Sequence, residues 1–151
     1  MSIRFHEKDL RSAGRASGGV RGIRLGEDDK VVGMTLVRPN SELLVATNNG
    51  YGKRTIVDSY RKQTRGGKGL ITMKLTEKTG KIVDVAVVDK TDKVITMTIH
   101  GIVMKCPVEQ IRSTGRSTQG VRLINLVEWD QVASIARIPK TDDHGTEKTG
   151  E

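Results

Sequence analysis

Aromatic residues are nearly missing from this 151-residue sequence, which has one Trp, two Tyr and one Phe. Base-stacking platforms for single strands need several such rings, so that mode of nucleic-acid binding is disfavoured relative to phosphate contacts. A single cysteine, Cys106, leaves no internal disulfide and no Cys-rich zinc cluster, which fits a reducing compartment. His6, His100 and His144 share no metal-ligand spacing. Long apolar runs are absent too. The most hydrophobic stretches, VDVAVVD and VITMTI, are short and interrupted by polar groups, so neither a membrane span nor a signal-peptide core is expected and the chain reads as soluble and cytoplasmic. No carboxylate pair or nucleophile–base arrangement suggests catalytic residues. Helical spacing is not found, and the Gly, Val, Ile and Thr content opposes long helices.

What the sequence does have is positive charge. The net charge is +8, yet the last eleven residues, TDDHGTEKTGE, hold four acids against one lysine, leaving +11 on residues 1–140. This predicts a polyanion-binding body over 1–140 and a short acidic, disordered tail over 141–151.

The sequence also repeats. GRASGGVRGIRL from Gly14, TRGGKGLITMKL from Thr64 and GRSTQGVRLINL from Gly115 superimpose Arg15, Arg65 and Arg116, then Gly19, Gly69 and Gly120, then Leu25, Leu75 and Leu126. KVVGMTL, KIVDVAV and QVASIAR align from Lys30, Lys81 and Gln131, and TNNGYGKR aligns with TIHGIVMK. A period of about fifty residues suits propeller-like blades. Ile71, Met73 and Leu75 alternate with polar residues as a half-buried strand would, and Asn49-Gly50 and His100-Gly101 mark hairpin turns needing positive φ. The expectation is an all-β chain with repeats over about 3–57, 58–108 and 109–140, giving two complete blades and part of a third. SIRF at the start is expected to supply a strand that another blade lacks, anchored by Phe5. Trp129 is expected to pack near the last turn, His100 to be a turn residue and Cys106 a structural thiol.

The stretch QTRGGKG, residues 63–69, is the main candidate site. Gly66 and Gly67 free the backbone to approach an anion, Arg65 and Lys68 put two cations at the bend, and Gln63 opens the segment. The alternative is that the glycines merely close a blade-to-blade turn. A nucleotide P-loop is excluded, because Gly69 stands where Ser or Thr must follow Lys68. Arg15 and Arg116 occupy the position of Arg65; they contact phosphate, or pack their stems across a strand, or bond a carbonyl between blades. Lys53 and Arg54, with Lys105 matching Arg54 one repeat on, are expected as exposed hairpin cations forming a rim stripe that Arg61 and Lys62 extend. Arg21, Arg24 and Arg122 rank lower.

The concatenation of SIRFHEKDLRSAGRASGGVRGIRLGEDDKVV, ATNNGYGKRT, QTRGGKGLI and GRSTQGVRLI resembles the C-terminal domain of DNA gyrase A, and less closely its topoisomerase IV counterpart, over about Ile3 to Ile138. The resemblance implies a six-bladed β-pinwheel whose basic rim binds and wraps double-stranded DNA in support of negative supercoiling. It implies as partners the remainder of gyrase A together with gyrase B, with ATP and Mg²⁺ used elsewhere in the holoenzyme and no cofactor in this chain. The family's heptapeptide has Arg where Thr64 stands and belongs to the first blade, so this chain looks like the second half of the domain. A propeller-like scaffold binding acidic proteins is the rival reading.

Overall fold

The computed structural model describes residues 1–140; the expected acidic tail lies outside the described residues. These residues form seven strands and three single 3-10 turns. The strands are β1 (Glu42–Thr47), β2 (Tyr51–Ile56), β3 (Ile82–Val88), β4 (Lys93–Thr98), β5 (Val103–Pro107), β6 (Val121–Arg122) and β7 (Val132–Ile138). They make two antiparallel sheets, in the orders β3-β1-β2-β6 and β5-β4-β7.

Local chemistry repeats from sheet to sheet. Gly50 (φ 82°) and Gly101 (φ 86°) take the left-handed turn position of the β1–β2 and β4–β5 hairpins, as the sequence predicts. A threonine closes each turn: the Thr47 hydroxyl accepts from the Tyr51 amide at 3.2 Å and the Thr98 hydroxyl from the Ile102 amide at 3.1 Å. Pairing slips at the same repeat position in both, between Ala46 and Thr47 and between Met97 and Thr98.

Neither sheet is built from one repeat. β1 and β2 belong to the first repeat, their neighbour β3 to the second and β6 to the third. Likewise β7, from the third repeat, pairs with β4 from the second. The N-terminal stretch joins this scheme: Ser2 bridges Leu70 and Arg4 bridges Lys62, as Gly52 pairs with Val121 and Arg54 with Ser113. Ser2–Arg4 is thus the counterpart of the second hairpin strand. Strand exchange places Leu44, Ala46, Val88, Val94, Val108, Ile111 and Ile135 in one buried cluster spanning both sheets. Burial of those side chains holds successive repeats together, at about 25 cal/mol per Å² of apolar surface removed from water.

Two expectations fail, at residues 71–75 and at Trp129. Residues 71–75 form no strand; Ile71 and Leu75 are exposed while Thr72 and Met73 are both buried. After Leu70 the chain crosses between blades, with the Thr72 hydroxyl on the Tyr60 hydroxyl at 2.7 Å and the Lys74 amide on the Thr118 carbonyl at 3.0 Å, so no ladder enforces alternation. KVVGMTL, aligned with β3 and β7, also forms no strand, because no hairpin strand lies beside it, and Met34 is 91% exposed. Trp129 does not pack: it is 86% exposed at φ 71°. Asp130 occupies the interior there, its carboxylate accepting from the Gln131 amide at 2.8 Å and facing the His100 ring at 3.0 Å.

The seating of the glycine-rich segments on the exchanged strands is testable. Gly120 has φ 77°, and a β-carbon there would overlap the Gly52 carbonyl oxygen. Gly115, five positions earlier, has open space around it. Gly120→Ala should cost about 2–3 kcal/mol in urea unfolding and Gly115→Ala less than about 0.5.

Candidate nucleic-acid interface

Each repeat builds the same post. A 3-10 turn, at Glu7–Asp9, Val57–Ser59 and Val108–Gln110, is closed by the amide of Leu10, Tyr60 or Ile111 on the carbonyl three residues back. Val57, Tyr60, Val108 and Ile111 are buried and pin the last two turns. The next residue is Arg11, Arg61 or Arg112, and all three are exposed. Among the described residues none of their guanidinium groups has a hydrogen bond or ion pair, so three equivalent cations face solvent on successive repeats.

Four residues on stands the second repeated arginine, and its role differs. Arg65 donates from Nε to the Asp9 carbonyl at 2.9 Å and from a terminal nitrogen to the Arg21 carbonyl at 3.1 Å. Arg116 donates to the Ile71 carbonyl at 3.0 Å and lies 6.0 Å from the Tyr60 ring centre. Residues 21 and 71 hold the same repeat position, so Arg65 and Arg116 make the same interblade staple. Arg15 is exposed and has no such partner among the described residues. The glycines of 63–69 serve the turn as well. Gly66 (φ 80°) donates to the Gly22 carbonyl at 2.6 Å, the Gly67 carbonyl accepts from the Arg24 amide at 2.8 Å, and Gly69 (φ 78°) abuts the Ser2 backbone. The Gln63 amide donates to the Arg4 carbonyl at 2.7 Å, while its side-chain oxygen is buried without a partner. Lys68 and Lys62 are both exposed.

The expected hairpin stripe needs correction. Lys53 is 0% exposed, and its ammonium donates to the Gly115 carbonyl at 2.5 Å, the Arg116 carbonyl at 2.6 Å and the Thr118 hydroxyl at 3.2 Å. Arg54 is buried as well, ion-paired with Glu42 and donating to the Ile111 carbonyl at 2.5 Å. Glu42 in turn accepts from the Ser113 hydroxyl. Both cations hold the third repeat's loop against β2 instead of lining a rim. Of that trio only Lys105 is exposed.

Comparison with known proteins agrees with this repeat geometry. The family described as DNA gyrase C-terminal domain, beta-propeller, matches residues 1–38, 41–89 and 92–139. The chain belongs to that family. It is 44% identical to DNA gyrase A of Mycolicibacterium smegmatis over 94% of this chain, and 41% identical to that of Haloquadratum walsbyi over 99%. It spans only 17% and 18% of those relatives' lengths. Among solved structures, a DNA gyrase A C-terminal domain matches with a TM-score of 0.84 at 26% identity, over 89% of this chain and 46% of that one. The C-terminal domain of a DNA topoisomerase IV matches in fold with a TM-score of 0.81 at 24% identity, over 88% of this chain and 42% of that one.

Within this gyrase-family fold, Arg11 and Arg112 are the cations that reading from the glycine-rich stretch misses. The signal lies four residues upstream, in LRSAGR, YRKQTR and IRSTGR.

The buried lysine generates a pH-dependent outcome. Burial first, then the neighbouring Arg116 charge, push the Lys53 pKa down to about 8 from 10.5. Between pH 8 and about 10.5 the unfolded chain therefore binds more protons at this site, so the Lys53 contribution to stability rises with pH across that window and is level below it. A pH titration of Lys53 by NMR should show a midpoint near 8, and one near 10.5 would contradict the burial. Lys53→Ala should cost about 2–4 kcal/mol, through lost packing and three lost acceptors.

Proposed function

We propose that this chain is a non-catalytic duplex-DNA-binding and DNA-bending module of a type II topoisomerase, DNA gyrase A, working with the remainder of that protein and with gyrase B. The observation that carries the reading is the repeated, solvent-facing arginine at positions 11, 61 and 112, each held on a 3-10 turn and none neutralised by a described residue. Lys62, Lys68 and Lys105 add to this series. Cations repeated at a structural period suit a polymer of evenly spaced charge better than an acidic protein surface of irregular shape.

Contact is expected with phosphate and not with base edges. The described residues include no α-helix to enter the major groove, and aromatic rings are too few for stacking. Bending 20–30 base pairs through 40–90° costs about 1–6 kcal/mol, which counterion release must offset. In gyrase such a bend would present a crossover to the cleavage core and support negative supercoiling.

Titrating duplex against the protein at several salt concentrations should give a log–log slope near about −5 if roughly six cations touch phosphate. Arg61→Ala, Arg112→Ala and Lys68→Ala should each weaken all sequences alike and flatten the slope by about 0.9. A salt-independent interaction, or preference for an acidic protein over duplex, would favour the scaffold reading. Sealing nicked circles with bound protein should change their linking number.

A further inference from the structure

Tyr51 gathers two cations that no described residue neutralises. Arg122, on β6, donates from Nη2 to the Tyr51 hydroxyl at 3.0 Å and holds its guanidinium carbon 5.4 Å from the ring centre. Lys78, in the turn before β3, sets its ammonium 5.7 Å from the same centre. The three side chains come from three repeats. Among the described residues neither Lys78 nor Arg122 is ion-paired with a carboxylate, and the phenol, which accepts from Arg122, has no acceptor for its own proton. The hydrogen bond from Arg122, followed by the Arg122 and Lys78 charges, outweighs burial and holds the phenol below its ordinary pKa.

The fold does not require this set. Gly52 pairs with Val121 as Ser2 bridges Leu70, so the counterparts of Tyr51 and Arg122 at the N-terminal joint are Met1 and Ile71, which line one apolar cleft. In the register that aligns Lys81 with Lys30 and Gln131, the counterparts of Lys78 are Glu27 and Glu128. An apolar pair and a carboxylate thus serve elsewhere at positions where one joint carries a tyrosine and two cations. One cation over an exposed ring is ordinary; two that repel each other across it are relieved by an anion placed between them.

We propose that Tyr51, Lys78 and Arg122 form a phosphate-binding site separate from the arginine series, with the phenol proton, the guanidinium and the ammonium on different oxygens of one phosphate group. A carboxylate offers two oxygens in one plane, enough for one guanidinium fork, whereas a phosphate spreads its oxygens tetrahedrally toward donors that arrive from three repeats. Duplex backbone as the source of that phosphate rests on the function proposed above; the site itself is read with inorganic phosphate. β2 runs from Tyr51 at one end to the 3-10 turn that carries Arg61 at the other, about 17 Å along the strand. That exceeds the major-groove width of about 12 Å, so the site engages a phosphate beyond the reach of Arg61.

The ring NMR signals of the two tyrosines in the 151-residue chain, assigned with Tyr51→Phe, provide the readout. Inorganic phosphate, exchanged for chloride at constant ionic strength, should shift the Tyr51 signals saturably and leave those of Tyr60 in place. Lys78→Glu installs the residue type of positions 27 and 128, so it should keep the circular dichroism and melting temperature while weakening the response about fivefold or more. Arg122→Ile, which copies position 71, should also fold and should abolish it. A duplex of about 30 base pairs should shift the same signals, and Lys78→Glu should flatten the salt slope of duplex binding by about 0.9 or more. A response to phosphate without one to duplex supports the site and assigns it to a small phosphorylated ligand; a response to duplex alone, lost in Lys78→Glu, supports it with backbone as the ligand. Tyr51 signals that neither probe moves overturn the site, even where duplex binds through the arginine series. So does a response that Lys78→Glu leaves unchanged, or one in which polyglutamate moves Tyr51 more than phosphate does.

Discussion

Close approach of two backbones, with a glycine wherever a side chain would intrude, is the constraint on which this molecule depends. The Gly69 backbone lies against Ser2 and the Gly120 backbone against Gly52, in left-handed conformations that a β-branched residue would strain severely. That contact sets how far a hairpin strand stands from the segment two repeats on. It thereby fixes which strands share a sheet, where the Arg65 and Arg116 staples find their carbonyls, and how the 3-10 posts follow one another. A chain of about fifty-residue units has too little core per unit to stand alone, and strand exchange ties each unit's burial to its neighbours.

The same architecture sorts the basic residues into two populations. Lys53 and Arg54 sit inside with carbonyl, hydroxyl and carboxylate partners, where their hydrogen bonds span a joint between repeats. Arg137 is similar, pairing with Asp92 at 2.5 Å and Asp89 at 3.3 Å. Burial raises the Asp92 carboxyl, but the hydrogen bond from Arg137 and two backbone amides outweigh it and hold the group below the usual carboxylate range. Arg11, Arg61, Arg112, Lys62, Lys68 and Lys105 are among the exposed cations that carry the outward charge. An excess of +11 on residues 1–140 opposes compaction through self-repulsion, and the interior pairing limits that penalty to the exposed set.

Much of this was legible in the sequence, and the failures share one cause. The period, the all-β class, the two hairpin turns and the pairing role of SIRF follow from spacing and turn chemistry, which are local. Burial is not local here. Lys53 and Arg54 follow a hairpin turn, where solvent exposure is the ordinary expectation, but a loop about sixty residues later folds over them. Ile71, Met73 and Leu75 alternate as a strand does, yet no neighbour supplies the ladder that would make alternation matter. For Arg116 the alternative of a carbonyl bond between blades describes the observed geometry, and Arg65, expected at phosphate, makes the same bond. Arg11 and Arg112 lay within reach of the repeat alignment, but only when it is carried upstream of the glycines into the 3-10 turns.

Rigidity links the fold to the proposed activity. A cation on a flexible loop follows a phosphate wherever straight duplex places it and does no bending. Arg61 and Arg112 begin from turns locked by buried Val57, Tyr60, Val108 and Ile111, and the loops after them are stapled to the preceding repeat by Arg65 and Arg116. Displacing such a post means breaking interblade hydrogen bonds and opening the shared core. With a duplex elastic cost of only about 1–6 kcal/mol for a bend of 40–90°, the nucleic acid is the softer partner. The duplex would therefore take its curvature from the protein, and that curvature is set by the spacing that the glycine contacts impose between repeats.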